Sequence, residues 1–251
     1  MTYCVGMLLD AGIVCLSDSR TNAGVDHINS FRKLNIFERP GERVMVLMTA
    51  GNLAITQAII TMLNERLANT DGASLWSVPN LFEAARHVGD TIREVHRRDA
   101  ESLQAFGIDF TASLILAGQI RGERSRLFNL YAAGNFIEAT PETPYFQIGE
   151  SKYGKPIIDR VITPKTSLDE ATKCALISMD STIRSNLSVG LPLDLALIRT
   201  DECRVACHHS IDLNDPYFSI VRSEWSEALR DAFNALPNPD WSKKQTTNTR
   251  S

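Results

Sequence analysis

Strand-like segments arrive in this chain as two antiparallel runs, each followed by a pair of helix-like segments, and that order limits its folds more than any other feature. Thr2 to Leu9 and Ile13 to Ser17 read as two strands joined by turn chemistry at Asp10-Ala11-Gly12. Thr21 to Ser30 reads as a loop, and Phe31 to Phe37 as a further strand. After a turn at Pro40-Gly41, Val44 to Thr49 is nearly continuous in apolar residues, the pattern of burial on both faces. Leu53 to about Leu67, and Pro79 to about Leu103, carry apolar residues at helical spacing, with a polar linker from Asn69 to Ser77 between them. The second run comprises Phe110 to Ile120, Arg126 to Ala132 and Tyr145 to Ile148. Helices are expected over Lys152 to Val161 and from an N-cap at Ser167 to about Leu187, the latter opened by the capping box Ser167/Glu170. Leu193 to Arg199 and Cys203 to His208 close the strands, and Pro216 to Leu236 reads as a terminal helix. The expected class is therefore α+β, with two helical layers over two packed sheets. No linker is long enough to force a split, so residues 1–237 read as a single domain and 238–251 as a polar tail.

At 251 residues the chain can bury a large core. A net charge of -4 offers no electrostatic footing for nucleic acid, which is excluded as a partner on that ground. The five cysteines are odd in number, scattered and mostly set in apolar segments, as reduced core cysteines are. The start has no basic and apolar leader, and no run approaches the roughly 18 apolar residues of a membrane span, so a cytoplasmic location without membrane contact is expected.

The opening residue after the initiator is the first with chemical interest. Met1 precedes the small side chain of Thr2, so a methionine aminopeptidase is expected to leave Thr2 as the free N-terminus. Such a threonine carries its own base: its α-amino group titrates at about pH 7.7 to 8.0 and lies on the same residue as the weakly acidic hydroxyl.

Thr2 at the head of a strand, Asp18 in Ser17-Asp18-Ser19-Arg20, Lys33 at the start of the next strand, and Thr49-Ala50-Gly51-Asn52 before the first helix together resemble the N-terminal nucleophile hydrolases of the proteasome type. Gly149-Glu150-Ser151 and Arg184-Ser185-Asn186-Leu187-Ser188-Val189-Gly190 extend the resemblance over most of the chain. Within that family, Thr2-Tyr3-Cys4-Val5-Gly6, the Ser17 to Val25 segment and Asn35-Ile36-Phe37-Glu38-Arg39-Pro40-Gly41 look most like the Anbu branch of bacterial proteasome-type proteases. The resemblance implies the four-layer αββα sandwich, a threonine endopeptidase that needs no cofactor or metal, a peptide or unfolded-protein substrate, a homo-oligomer and an unfolding partner of unknown identity.

It also implies roles. Thr2 is the expected nucleophile, Lys33 the cation that eases proton transfer from it, and Asp18 the group that orients Lys33. Gly51 is the expected backbone donor to the tetrahedral oxyanion, where one donor is worth about 10²- to 10³-fold in rate. Ser151 and Ser188 match the hydroxyls that surround the threonine amine. The chain departs from the family at Ser185, where many members carry a carboxylate, so Asp180 or water is expected to stand in. Two other readings stay open: an amidohydrolase of the same fold acting on a small amide, and a catalytically silent subunit, against which the missing N-terminal extension argues. His208 and His209 beside Cys207 are set aside as a metal site because successive strand residues face opposite ways.

Overall fold

The computed structural model describes residues 2–23, 27–69 and 72–240. The opening hairpin is β1 (Tyr3–Leu9) and β2 (Gly12–Asp18), turned at Asp10-Ala11. β3 (Arg20–Ala23) and β4 (His27–Ser30) form a small ribbon of their own. Then come β5 (Leu34–Arg39), β6 (Arg43–Gly51), α1 (Leu53–Ala68), α2 (Leu81–Ala105), β7 (Ala112–Ile120), β8 (Arg126–Leu130) and β9 (Phe136–Glu138). The chain ends with β10 (Tyr145–Gly149), α3 (Lys155–Val161), α4 (Leu168–Ser185), β11 (Leu193–Arg199), β12 (Val205–Ile211) and α5 (Pro216–Ala235). One antiparallel sheet has the order β10-β1-β2-β11-β12 and the other β5-β6-β7-β8-β9.

Side-chain alternation along the strands builds the layers. In β6, Met45 and Leu47 join the core under α1 and α2, with Ile59, Leu81, Val88 and Ile92. The intervening Val44, Val46, Met48 and Ala50 face the other sheet and meet Cys4, Ile13, Cys15 and Ile198. In β1, Tyr3, Val5 and Met7 point the third way, toward Ala175 and Met179 of α4 and Phe218 of α5. Three apolar cores thus separate four layers, αββα, because both sheets are apolar on both faces. The capping box expected at Ser167 and Glu170 is present at the head of α4. All five cysteines are free, four of them buried, and only Cys207 is exposed.

Several expectations change in detail. The stretch expected as a loop from Thr21 to Ser30 contains most of the β3–β4 ribbon, in which Arg20 pairs with Ser30 and Thr21 with Asn29. Its polar sequence lacks the apolar alternation that advertises a strand. The strand expected from Phe31 begins only at Leu34, leaving Lys33 on the approach to it. β9 was not expected at all; three residues are too few to show a period. α3 starts at Lys155 after Gly154, and β12 starts at Val205 because Asp201 and Cys203 adopt left-handed φ values of 66° and 45° in the preceding turn. No helix of the described residues is long and apolar enough to cross a membrane. Of the expected polar tail, residues 241–251 lie outside the described residues.

One residue ties the amino end of β1 to a helical layer. The fully buried Tyr3 hydroxyl lies 2.6 Å from Ser178 Oγ on α4 and accepts from Gln147 Nε2 on β10. Removing that hydroxyl leaves the buried Ser178 and the half-buried Gln147 without their bond. Tyr3→Phe is expected to lower the unfolding free energy by about 1–3 kcal/mol, read from a urea titration.

Candidate active site

Thr2 is held by its backbone on both sides. Its carbonyl accepts a 2.7 Å hydrogen bond from the Glu150 N–H, and the next amide, Tyr3 N–H, donates to Asp18 Oδ1 at 3.0 Å. The first contact needs the glycine before Glu150: Gly149 has φ +81°, and a Cβ there would sit 1.9 Å from the Thr2 carbonyl oxygen. Thr2 itself is 8% exposed. Met1, whose removal is expected, lies outside the described residues.

Asp18 ends β2 and is completely buried, with β1 on one side and β11 on the other. Lys33, 5% exposed, donates from Nζ to Asp18 Oδ1 at 2.8 Å and to the Arg20 carbonyl at 2.7 Å. The Gly190 N–H reaches Asp18 Oδ2 at 3.4 Å. Burial pushes the Asp18 carboxyl above its ordinary pKa, while the Lys33 charge and the Tyr3 and Gly190 N–H groups pull the other way. Lys33 is fixed at its backbone too, since its carbonyl accepts from Thr49 N–H at 3.0 Å. The ammonium therefore has a fixed position, set by two acceptors and the edge of β6.

Thr2, Lys33 and Gly51 line one cavity of about 240 Å³, together with Arg20, Thr21, Thr49, Ala50, Asn52, Leu53 and Thr56. Gly51 ends β6 with φ +119°, and a Cβ there would lie 2.4 Å from the Thr111 carbonyl oxygen, so only glycine fits the close approach to β7. Asn52 follows as the N-cap of α1, its side chain accepting from Ala54 N–H at 3.0 Å. Larger hollows lie beside α2, about 700 Å³ around Arg93 and Arg97, and at the far end of β1, about 610 Å³ around Glu123 and Asp201. Neither joins a buried hydroxyl to a buried cation.

Four of the six expected site residues, Thr2, Asp18, Lys33 and Gly51, thus come together. Ser151 and Ser188 are not among the described residues lining the cavity. Ser151 directly follows Glu150 and gives its carbonyl to Lys155 N–H at the start of α3, at 3.1 Å. Ser188 donates its backbone N–H to Asn186 Oδ1 at 2.9 Å. Ser185 closes α4 and is exposed. Asp180, the expected stand-in, is not among the described residues lining the cavity; its two carboxylate oxygens accept from Arg184 Nε at 2.8 Å and Arg222 Nε at 3.0 Å, bolting α4 to α5.

The residues the sequence reading left without a role are Glu150 and Asn186. Glu150 is 6% exposed and accepts from Asn186 Nδ2 at 3.1 Å. The only signal for either was membership of the two segments that carried the resemblance. Cys4, two residues from Thr2, is no rival nucleophile: burial first, and then the Asp18 charge, push its thiol pKa up. His208 and His209 take different partners, Asp194 at 3.9 Å and Asp215 at 2.9 Å. Among the described residues no group of three or more His, Cys, Asp or Glu is placed to hold a metal ion.

A family model described as the proteasome subunit matches residues 2–198. The chain belongs to the proteasome-subunit family. Among solved structures, Anbu (ancestral beta-subunit) from Yersinia bercovieri is 52% identical over 95% of this chain and 99% of its own, with a TM-score of 0.90. The helical assembly of the Anbu complex from Pseudomonas aeruginosa is 50% identical over 96% of this chain and 99% of its own, at a TM-score of 0.91. An Anbu (Gly-1) mutant from Hyphomicrobium sp. strain MC1 is 48% identical over 96% and 100%, at 0.89. No curated protein matches the chain. Within the proteasome family the chain is thus similar to Anbu along nearly its whole length, and the αββα sandwich is the proteasome-subunit fold.

Removing one partner of a buried ion pair strands the other charge. Lys33→Ala is expected to lower the unfolding free energy by about 3–5 kcal/mol. In a double-mutant cycle with Asp18→Ala, the double variant should lose clearly less than the sum of the singles.

Proposed function

We propose that this chain is a threonine peptidase whose nucleophile is the hydroxyl of Thr2 after loss of Met1. The observation that carries the reading is that Lys33, paired with the buried Asp18, lines one cavity with Thr2. Thr2 Oγ1 attacks the carbonyl carbon of a peptide bond while its proton passes to the α-amino group, with the Lys33 charge disfavouring protonation nearby. The negative charge that forms on the former carbonyl oxygen is stabilised by the Gly51 N–H. Collapse breaks the C–N bond, the leaving amine takes the proton, and an ester on Thr2 remains. Water then attacks that ester, and its proton returns the threonine hydroxyl as the carboxylic acid leaves. Ser151, next to the Glu150 N–H that bonds the Thr2 carbonyl, and Ser188, whose N–H bonds the Asn186 that braces Glu150, are assigned to the polar surround of the amine.

Energetics argues against a silent subunit. A buried ion pair is weak evidence for stability, since an apolar pair of similar volume is often as good or better. Keeping one next to a hydroxyl and an open cavity is the pattern of a site retained for chemistry. The cavity, about 240 Å³, is small beside ligand sites of about 300–1,000 Å³, which keeps hydrolysis of a small amide as the second reading.

Self-assembly is part of the proposal. The Pseudomonas aeruginosa relative is described as a helical assembly, and this chain presents Ile220, Leu229, Phe233 and Leu236 on and just beyond α5 at 56%, 50%, 76% and 69% exposure.

Intact-mass measurement of the purified protein is expected to lack Met1. Thr2→Ala is expected to abolish cleavage of peptide substrates, by at least about 10³-fold, with the sedimentation profile unchanged. A retained methionine, or cleavage undiminished in Thr2→Ala, contradicts the mechanism; turnover of single amino-acid amides but not of longer peptides selects the amidohydrolase.

A further inference from the structure

The carboxylate absent at Ser185 leaves the amine of Thr2 without an obvious anion, and the structure offers one just past the end of β10. β1 and β10 pair with Tyr3 opposite Gly149 and Cys4 opposite Ile148, so the next pair outward is Thr2 and Glu150, joined by the 2.7 Å bond from Glu150 N–H to the Thr2 carbonyl. Glu150 is buried, and a buried carboxylate needs donors. Its partners among the described residues are few: Asn186 Nδ2, a neutral donor at 3.1 Å, and Lys152 Nζ at a loose 4.0 Å on an 80% exposed side chain. A carboxylate has about four acceptor sites, so capacity is left over. Asn186 is itself fixed, its Oδ1 accepting the Ser188 N–H.

We propose that Glu150, braced by Asn186, accepts a hydrogen bond from the α-amino group of Thr2 and sets its orientation and basicity. Glu150 is then a positioning residue, acting through the amine and not on the substrate. It supplies the negative charge that Ser185 does not, while Asp180 pairs with Arg184 and Arg222. The inference rests on the reading of Thr2 as a processed N-terminal nucleophile. The other charged groups around the amine are Lys33 and Arg20, which line the cavity, Asp18 beneath Lys33, and Lys152 beside Glu150. The cations favour the neutral amine and the two carboxylates favour its protonated form.

The test titrates the amine directly. On protein whose mass shows Thr2 first, the rate of α-amine acylation by acetic anhydride is followed against pH, with the N-terminal peptide quantified by mass spectrometry. Glu150→Gln is expected to lower the titration midpoint by about 1 pH unit, as loss of a nearby opposite charge does. Glu150→Asp, which withdraws the charge by one methylene, is expected to shift it the same way by less, and carries the test if Glu150→Gln does not fold. A purely structural role for Glu150 would lower the melting temperature and leave the midpoint in place, and an unshifted midpoint overturns the inference. Thr2→Ala keeps an amine and loses the hydroxyl: it is expected to titrate like the unsubstituted protein and to cleave nothing. Cleavage by Thr2→Ala sinks the nucleophile reading, whereas an inactive Thr2→Ala with an unshifted Glu150→Gln sinks only the role of Glu150.

Discussion

Asp18 and Lys33 face each other at 2.8 Å with almost no exposure to water, and the arrangement of the amino end of the chain depends on that contact. Asp18 bonds the Tyr3 amide with the same oxygen that binds Lys33, so the charge that fixes the cation also fixes the strand carrying Thr2. The Gly190 N–H at the other oxygen brings the segment between α4 and β11 to the same point. Desolvation makes the pair costly, and four main-chain groups from four segments converge to hold it: the Tyr3 and Gly190 N–H groups on Asp18, the Arg20 carbonyl on Lys33 Nζ and the Thr49 N–H on the Lys33 carbonyl. The core layers explain why it can exist: each sheet is apolar on both faces, so the end of β2 is dry wherever it is not opened by the cavity at Thr2.

The layers were legible in the sequence because their signal is periodic. Val44 to Thr49 reads as a strand buried on both faces, and it is the central β6, whose alternate residues enter two different cores. The residues brought to the cavity were legible for a different reason: Thr2, Asp18, Lys33 and Gly51 each sit at the end of, or just before, a strand, where the backbone sets their position. The ribbon at Arg20 and β9 escaped because polar or very short strands carry no period.

Glu150 escaped because nothing local marks it. Its burial depends on the register of β10 against β1 and on Asn186 arriving from the end of α4, a pairing across 36 positions. Asp180 misled for the same reason in reverse: within α4 only Arg184, one turn on, takes one of its oxygens, and only the placement of α5 reveals that Arg222 takes the other. In both cases the side chain's role is decided by a partner distant in sequence, which pattern reading along one element cannot supply.

The central claim is that the Asp18–Lys33 pair serves a nucleophile at Thr2, the residue just before β1. The most direct measurement is to treat the protein with an electrophile directed at N-terminal threonine, such as an epoxyketone, digest it, and locate the adduct by mass spectrometry. The account predicts one adduct, bridging the hydroxyl and amine of Thr2, formed at a rate that drops sharply in Lys33→Ala. An adduct on Cys4 or Ser151, or a rate indifferent to Lys33, would contradict it.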